Sequence, residues 1–107
     1  MVRVIHFFNL KPSADEAQML RLINQGLRDL TRAYGCLERK TWKLLDANAQ
    51  GQPASVAAYM NEALWPSQEA ADTFAHAVRN GEANAFFAET HSGIETVLTA
   101  RYVDEAS

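Results

Sequence analysis

Cysteine is nearly absent from this chain: Cys36 stands alone, so no intrachain disulfide can form and no cysteine-based zinc cluster can be assembled. Its place at the start of a predicted strand suits a small buried apolar side chain, with no helix N-terminus or adjacent base to activate the thiol. Proline is scarce as well, three residues in 107, and no proline-rich or low-complexity tract divides the sequence, so residues 1–107 read as one domain. A dense basic segment is missing. Ten Lys/Arg against thirteen Asp/Glu give a formal charge of -3, which argues against a nucleic-acid partner, although Arg39-Lys40 can attract an anion locally. No apolar run approaches the roughly 18 residues of a membrane span. Arg3 and His6 interrupt the apolar N-terminal stretch, so no signal peptide is read and a soluble, cytoplasmic protein without a membrane partner is the expectation. Glycine-rich phosphate loops and a G-x-S-x-G nucleophile motif are also lacking, which removes the usual nucleotide and hydrolase signatures.

What the chain does contain is a regular succession of apolar patterns. VRVIHFFNL (Val2–Leu10) has high strand propensity, and its two faces, Val2/Val4/His6/Phe8 and Arg3/Ile5/Phe7/Asn9, are both substantially apolar. Ser13 and Glu16 have capping-box spacing ahead of a helix predicted over Ala14–Ala33, whose stripe is Leu20, Ile23, Leu27, Leu30 and Tyr34. Gly35 suits its end, while Gly26 inside it costs about 1 kcal/mol relative to alanine. A second strand is read from Cys36 to Asp46, an exposed connection from Asp46 to Pro53, and a third strand from Val56 to Leu64. In the third, Tyr59, Asn61, Ala63 and Trp65 alternate with Met60, Glu62 and Leu64. Pro66 and Ser67 then open a helix burying Ala71, Phe74, Ala75 and Val78, Asn80-Gly81 ends it, and a shorter helix over Glu82–Thr90 presents Ala83, Phe86 and Phe87. Gly93 precedes a last strand with Ile94, Val97, Leu98, Tyr102 and Val103.

This order predicts an α+β, ferredoxin-like fold: a four-stranded antiparallel sheet with helices on one face. The apolar second face predicts a partner sheet from a second copy, and therefore a homodimer.

Four strings, IHFFNLKPSADE, YGCLERKTW, NEALWPSQEAADTF and FFAETHSGIETVLTARYV, occur in an order that resembles the dimeric α/β-barrel superfamily, especially its antibiotic-biosynthesis-monooxygenase-like branch and the stress-responsive barrel proteins. The resemblance implies a homodimer whose two sheets form a dimeric α/β barrel, with a pocket between each sheet and its own helices. It does not imply an enzyme, since the fold carries many activities. Asn61 and Trp65 resemble an asparagine–tryptophan pair used by cofactor-independent oxygenases of this group, the amide orienting an oxygen atom and the indole packing on an aromatic substrate. The match departs where some members carry a tyrosine after the tryptophan, because Ala70 and Ala71 stand here and the next arginine is Arg79. A likeness to haem-degrading relatives at His6 and at Phe87–His91 lacks their tryptophan, with Phe74 in its place, and no cofactor is expected.

The candidate catalytic residues are therefore Asn61, Trp65 and His6, with Trp42, Phe74, Phe87 and His91 as candidate ligand contacts. Each has a plainer role beside it. Trp65 can be a wedge at a strand–helix junction, Trp42 core packing, Asn61 a sheet or interface hydrogen-bonding group, His6 a core or interface histidine, and His91 a charge at a helix end. No metal site is read, because His6, His76 and His91 lie on separate elements without ligand spacing. Three functions stay open: a small-molecule-binding or stress-related protein with an apolar pocket, a cofactor-independent monooxygenase acting on a small aromatic or polyketide-like substrate, and a structural or interaction homodimer.

Overall fold

The structure, a computed structural model, describes residues 1–104 apart from the side chain of His91. In chain order the elements are β1 (Val2–Leu10), α1 (Glu16–Arg21), a π-helical segment (Leu22–Leu27), α2 (Arg28–Arg32), β2 (Glu38–Lys43), β3 (Asn48–Ala49), β4 (Gln52–Pro53), β5 (Tyr59–Trp65), α3 (Gln68–Arg79), α4 (Asn84–His91) and β6 (Ile94–Val103). The main sheet has the order β2-β5-β1-β6, with every neighbouring pair antiparallel. Its register sets His6 opposite Asn61, Val2 opposite Trp65 and Thr41 opposite Asn61.

The four strands and the helical layer match the expected α+β arrangement, but the expected barrel is overturned. The sheet is open, ending in β2 and β6. Four strands are too few to close on themselves, since small barrels use about eight. The shortest extent of the molecule, 20 Å, accommodates one sheet and one layer of helices.

Local chemistry explains where the elements depart from expectation. Asp15, not Ser13, caps α1 by accepting from the Gln18 amide at 3.1 Å. Glu16 does not reach back to the cap. Its carboxylate instead accepts from the Tyr59 hydroxyl and from Lys43 Nζ, the latter at 3.2 Å. Beyond it, Met19, Ile23, Leu27 and Thr31 are buried at intervals of four residues. A regular α-helix would rotate such a row by about 40° per step. The wider π turns at Leu22–Leu27 keep it facing the sheet, and Thr31 donates to the Leu27 carbonyl at 2.8 Å. Gly26 sits in this segment under the Phe86 ring, where a Cβ would meet Cε2 at 2.5 Å.

The second strand is shorter than expected at both ends, and the connection after it holds the small β3–β4 hairpin, turned by Gln50 and Gly51 with φ of 53° and 81°. β5 starts three residues later than expected, at Tyr59, and runs on through Trp65. Its burial alternates strictly, so that Tyr59, Asn61, Ala63 and Trp65 face the helices. Ser67 Oγ accepts from the Ala70 amide at 3.1 Å and starts α3.

Two apolar clusters fill the helix side. One joins Phe8, Tyr59 and Ile94 to Met19, Ile23 and Leu27 of the first helical stretch. The other joins Val2, Ala63, Trp65 and Cys36 to Ala71 of α3. The opposite face of the sheet is uncovered: Ile5, Phe7, Met60 and Leu64 are half-buried there, and Trp42, Leu98 and Tyr102 are 44%, 55% and 59% exposed.

Candidate functional site

Between the sheet and α3 lies an open cavity of about 380 Å³. That volume falls within the roughly 300–1,000 Å³ typical of small-ligand pockets. β5 supplies Ala63 and Trp65, β1 supplies Val4 and His6, and α3 supplies Ala71 and Phe74. The sequence reaches this geometry through the strand period: residues two apart on β1, β5 and β2 project to one side, which is the side α3 covers.

Its apolar wall is a pair of rings. Trp65 and Phe74 stack with centroids 5.4 Å apart and planes inclined by 28°, and the Tyr34 ring meets Phe74 edge-on at 5.3 Å. Trp65 is only 2% exposed, so it is both a wedge between β5 and α3 and part of the cavity lining. Phe87, from α4, lines the same space.

The polar wall comes from β1, β2 and β6. His6 Nε2 lies 3.0 Å from Thr96 Oγ1, and the histidine ring is tilted against Phe8 at 5.5 Å. Arg101 pairs with Asp72 at 2.8 Å, tying β6 to α3. Arg39, opposite Ala63 on β2, lines the cavity. Its buried Nε has no hydrogen-bond partner among the described residues, and burial pushes its pKa down to about 10.

Asn61 is 2% exposed and lies outside the cavity lining, in the sheet between His6 and Thr41. Its Nδ2 donates to Thr41 Oγ1 at 2.6 Å, which leaves Oδ1 buried and without a partner among the described residues. Turning the amide over exchanges the two ends but still leaves one unmet.

Of the residues singled out from sequence, the fold brings His6, Trp65, Phe74 and Phe87 together around the cavity, with Asn61 beneath it. Trp42 is elsewhere. It pairs with Met60 on the open face, under Lys40 Nζ at 4.2 Å from its ring centroid. His91 ends α4, and its side chain lies outside the described residues. Sequence reasoning missed Arg39, Arg101, Thr96 and Thr99 as lining residues. For Arg39 the signal was present: alternation along β2 separates it from Lys40, sending one charge to the helices and the other to the open face.

No protein-family model and no curated protein matches this sequence. Solved structures do. The Arabidopsis thaliana protein At3g17210 is similar over 97% of this chain and 95% of its own, with a TM-score of 0.70 at 16% identity. HapK from Hahella chejuensis is similar over 100% of this chain and 95% of its own, with a TM-score of 0.61 at 14% identity. An EthD-like protein from Ralstonia eutropha JMP134 is similar over 97% and 93%, with a TM-score of 0.63 at 17% identity. Likeness at this level of identity establishes a shared fold and no activity.

Among the described residues, no group of three or more His, Cys, Asp and Glu side chains is placed to hold a metal ion, and no helix is long and apolar enough to cross a membrane.

Proposed function

We propose that this protein binds a small molecule with a flat apolar body in the cavity between its sheet and α3. The observation that carries the reading is the Trp65–Phe74 stack lining a space of about 380 Å³ that His6 and Arg39 also line. An apolar body with a few convergent polar groups is the usual character of a ligand pocket, and a planar ligand gains both area burial and offset ring contact there. A calorimetric titration with 2-naphthamide, a neutral planar probe, tests it. One saturable site per chain is expected, weakened at least tenfold by Phe74→Ala; absence of saturable heat contradicts it.

A homodimer belongs to the same proposal, with a second copy covering the open face that carries Phe7, Trp42, Leu98 and Tyr102. Removing about 300 Å² of apolar surface from water contributes roughly 7 kcal/mol before the cost of association.

A second reading, cofactor-independent oxygenation of a phenolic ring, is favoured by the unmet amide end of Asn61 beside His6. Oxygen uptake with a dihydroxynaphthalene, lost in Asn61→Ala, is its expected sign. Uptake indistinguishable from the protein-free rate removes it.

A further inference from the structure

Arg39 is the one cation of the cavity wall whose charge no carboxylate of the described residues answers. The other lining arginine, Arg101, is held by Asp72 at 2.8 Å. Glu62 is engaged by Arg3 at 3.0 Å on the far side of the sheet, and Glu16 by Lys43 at 3.2 Å. The Arg39 Nε is moreover buried without a hydrogen-bond partner among the described residues. A buried donor left unmet costs its full desolvation penalty, and a guanidinium partly withdrawn from water without a counter-charge adds to that cost. The depressed affinity of Arg39 for its proton, caused by burial, reflects that expense. Such a group is stabilised when an anion enters. The sign of the site agrees: although the whole chain carries a formal charge of -3, the described residues that line the cavity include Arg39 and Arg101 and no carboxylate.

Resting on the cavity reading above, we infer that the ligand is an organic carboxylate, its planar apolar body against Trp65 and Phe74 and its carboxylate on the Arg39 guanidinium. A carboxylate is preferred to a phosphate because the second lining arginine, Arg101, is already neutralised by Asp72, and His6 and Thr96 are engaged with each other, which leaves one free positive charge among the described lining residues to meet a monoanion. The planar fork of one arginine matches two carboxylate oxygens. The same geometry makes Arg39 the residue that selects for charge, and the ring pair the part that selects for shape.

The test compares 2-naphthoate with 2-naphthamide by calorimetry at pH 7, on the full chain and on Arg39→Gln and Arg39→Lys. In the unaltered protein the carboxylate is expected to bind at least about tenfold more tightly than the amide, the scale of one charge-assisted hydrogen bond. Arg39→Gln brings the ratio to about one, and Arg39→Lys retains part of the preference; a far-UV circular dichroism spectrum and melting temperature matching the unaltered protein show that the variants are folded. Equal affinities in the unaltered protein overturn the inference and leave the cavity reading standing. A preference that survives in Arg39→Gln overturns the assignment to Arg39. If neither probe binds, the cavity reading fails, and the inference with it.

Discussion

The indole of Trp65 lies 5.4 Å from the ring of Phe74, centroid to centroid, and this contact joins the end of β5 to the middle of α3. The same pair is therefore a structural joint and a cavity wall. Trp65→Ala is expected to cost about 3–5 kcal/mol in unfolding free energy, as for other large buried aromatics. Denaturant unfolding reads it directly. A loss below about 1 kcal/mol would show that the joint is carried by other residues.

Gly26 gives a prediction whose sign is opposite to helix propensity. Propensity alone makes Gly26→Ala stabilising by about 1 kcal/mol, but the added methyl would stand 2.5 Å from Phe86 Cε2. Gly26→Ala is expected to destabilise by roughly 1–3 kcal/mol through overpacking. The double variant with Phe86→Leu, measured in the same thermal unfolding series, should recover part of that loss. Stabilisation by the single variant would contradict the packing of α4 on the π segment.

Glu16 predicts a pH dependence. Its carboxyl is held below the usual carboxylate range by the Tyr59 hydroxyl first and by Lys43 second. A depressed folded-state value means the contribution is present above the unfolded value and is lost as pH falls through the folded one. The group is exposed, so the effect is small. The melting temperature of the unaltered protein should exceed that of Glu16→Gln at pH 7, and the gap should close on acidification below the carboxylate range. A gap independent of pH would assign the difference to packing instead.

The open face predicts an assembly state. Light scattering at micromolar concentration is expected to give twice the chain mass for the unaltered protein and the chain mass for Leu98→Lys/Tyr102→Lys. Both positions are more than half exposed, so the monomer's own stability should change little. A monomer in the unaltered protein across the concentration range would contradict the proposed dimer.

Much of the scaffold was legible because it rests on local rules. Strict alternation in YMNEALW set the faces of β5, and Pro66-Ser67 marked the entry to α3. What escaped depends on contacts between distant segments. Glu16 left its capping role because Tyr59 and Lys43 lie within reach of it across the fold. The π segment follows from a four-residue burial spacing that becomes visible only when Thr31, a polar residue, is counted as buried. The apolar second face of the sheet was readable from Ile5 and Phe7, but the expected barrel asked one sheet's pattern to specify a closure that its four strands do not make. In the site, the aromatic members were recoverable from periodicity. Arg39 was read with Lys40 only as a local attractor of anions and not as a member of the pocket, because only the placement of α3 over β5 and β1 shows which side is enclosed.

The central claim, that the helix-side cavity takes a planar small molecule, is tested most directly by the two indole N–H signals in a ¹H–¹⁵N correlation spectrum. The chain has two tryptophans, and they lie on opposite faces of the sheet: Trp65 in the cavity wall and Trp42 on the open face. Titration with 2-naphthamide should move the Trp65 signal saturably and leave the Trp42 signal in place. Movement of Trp42 alone, or of neither signal up to the solubility limit of the probe, would contradict the account.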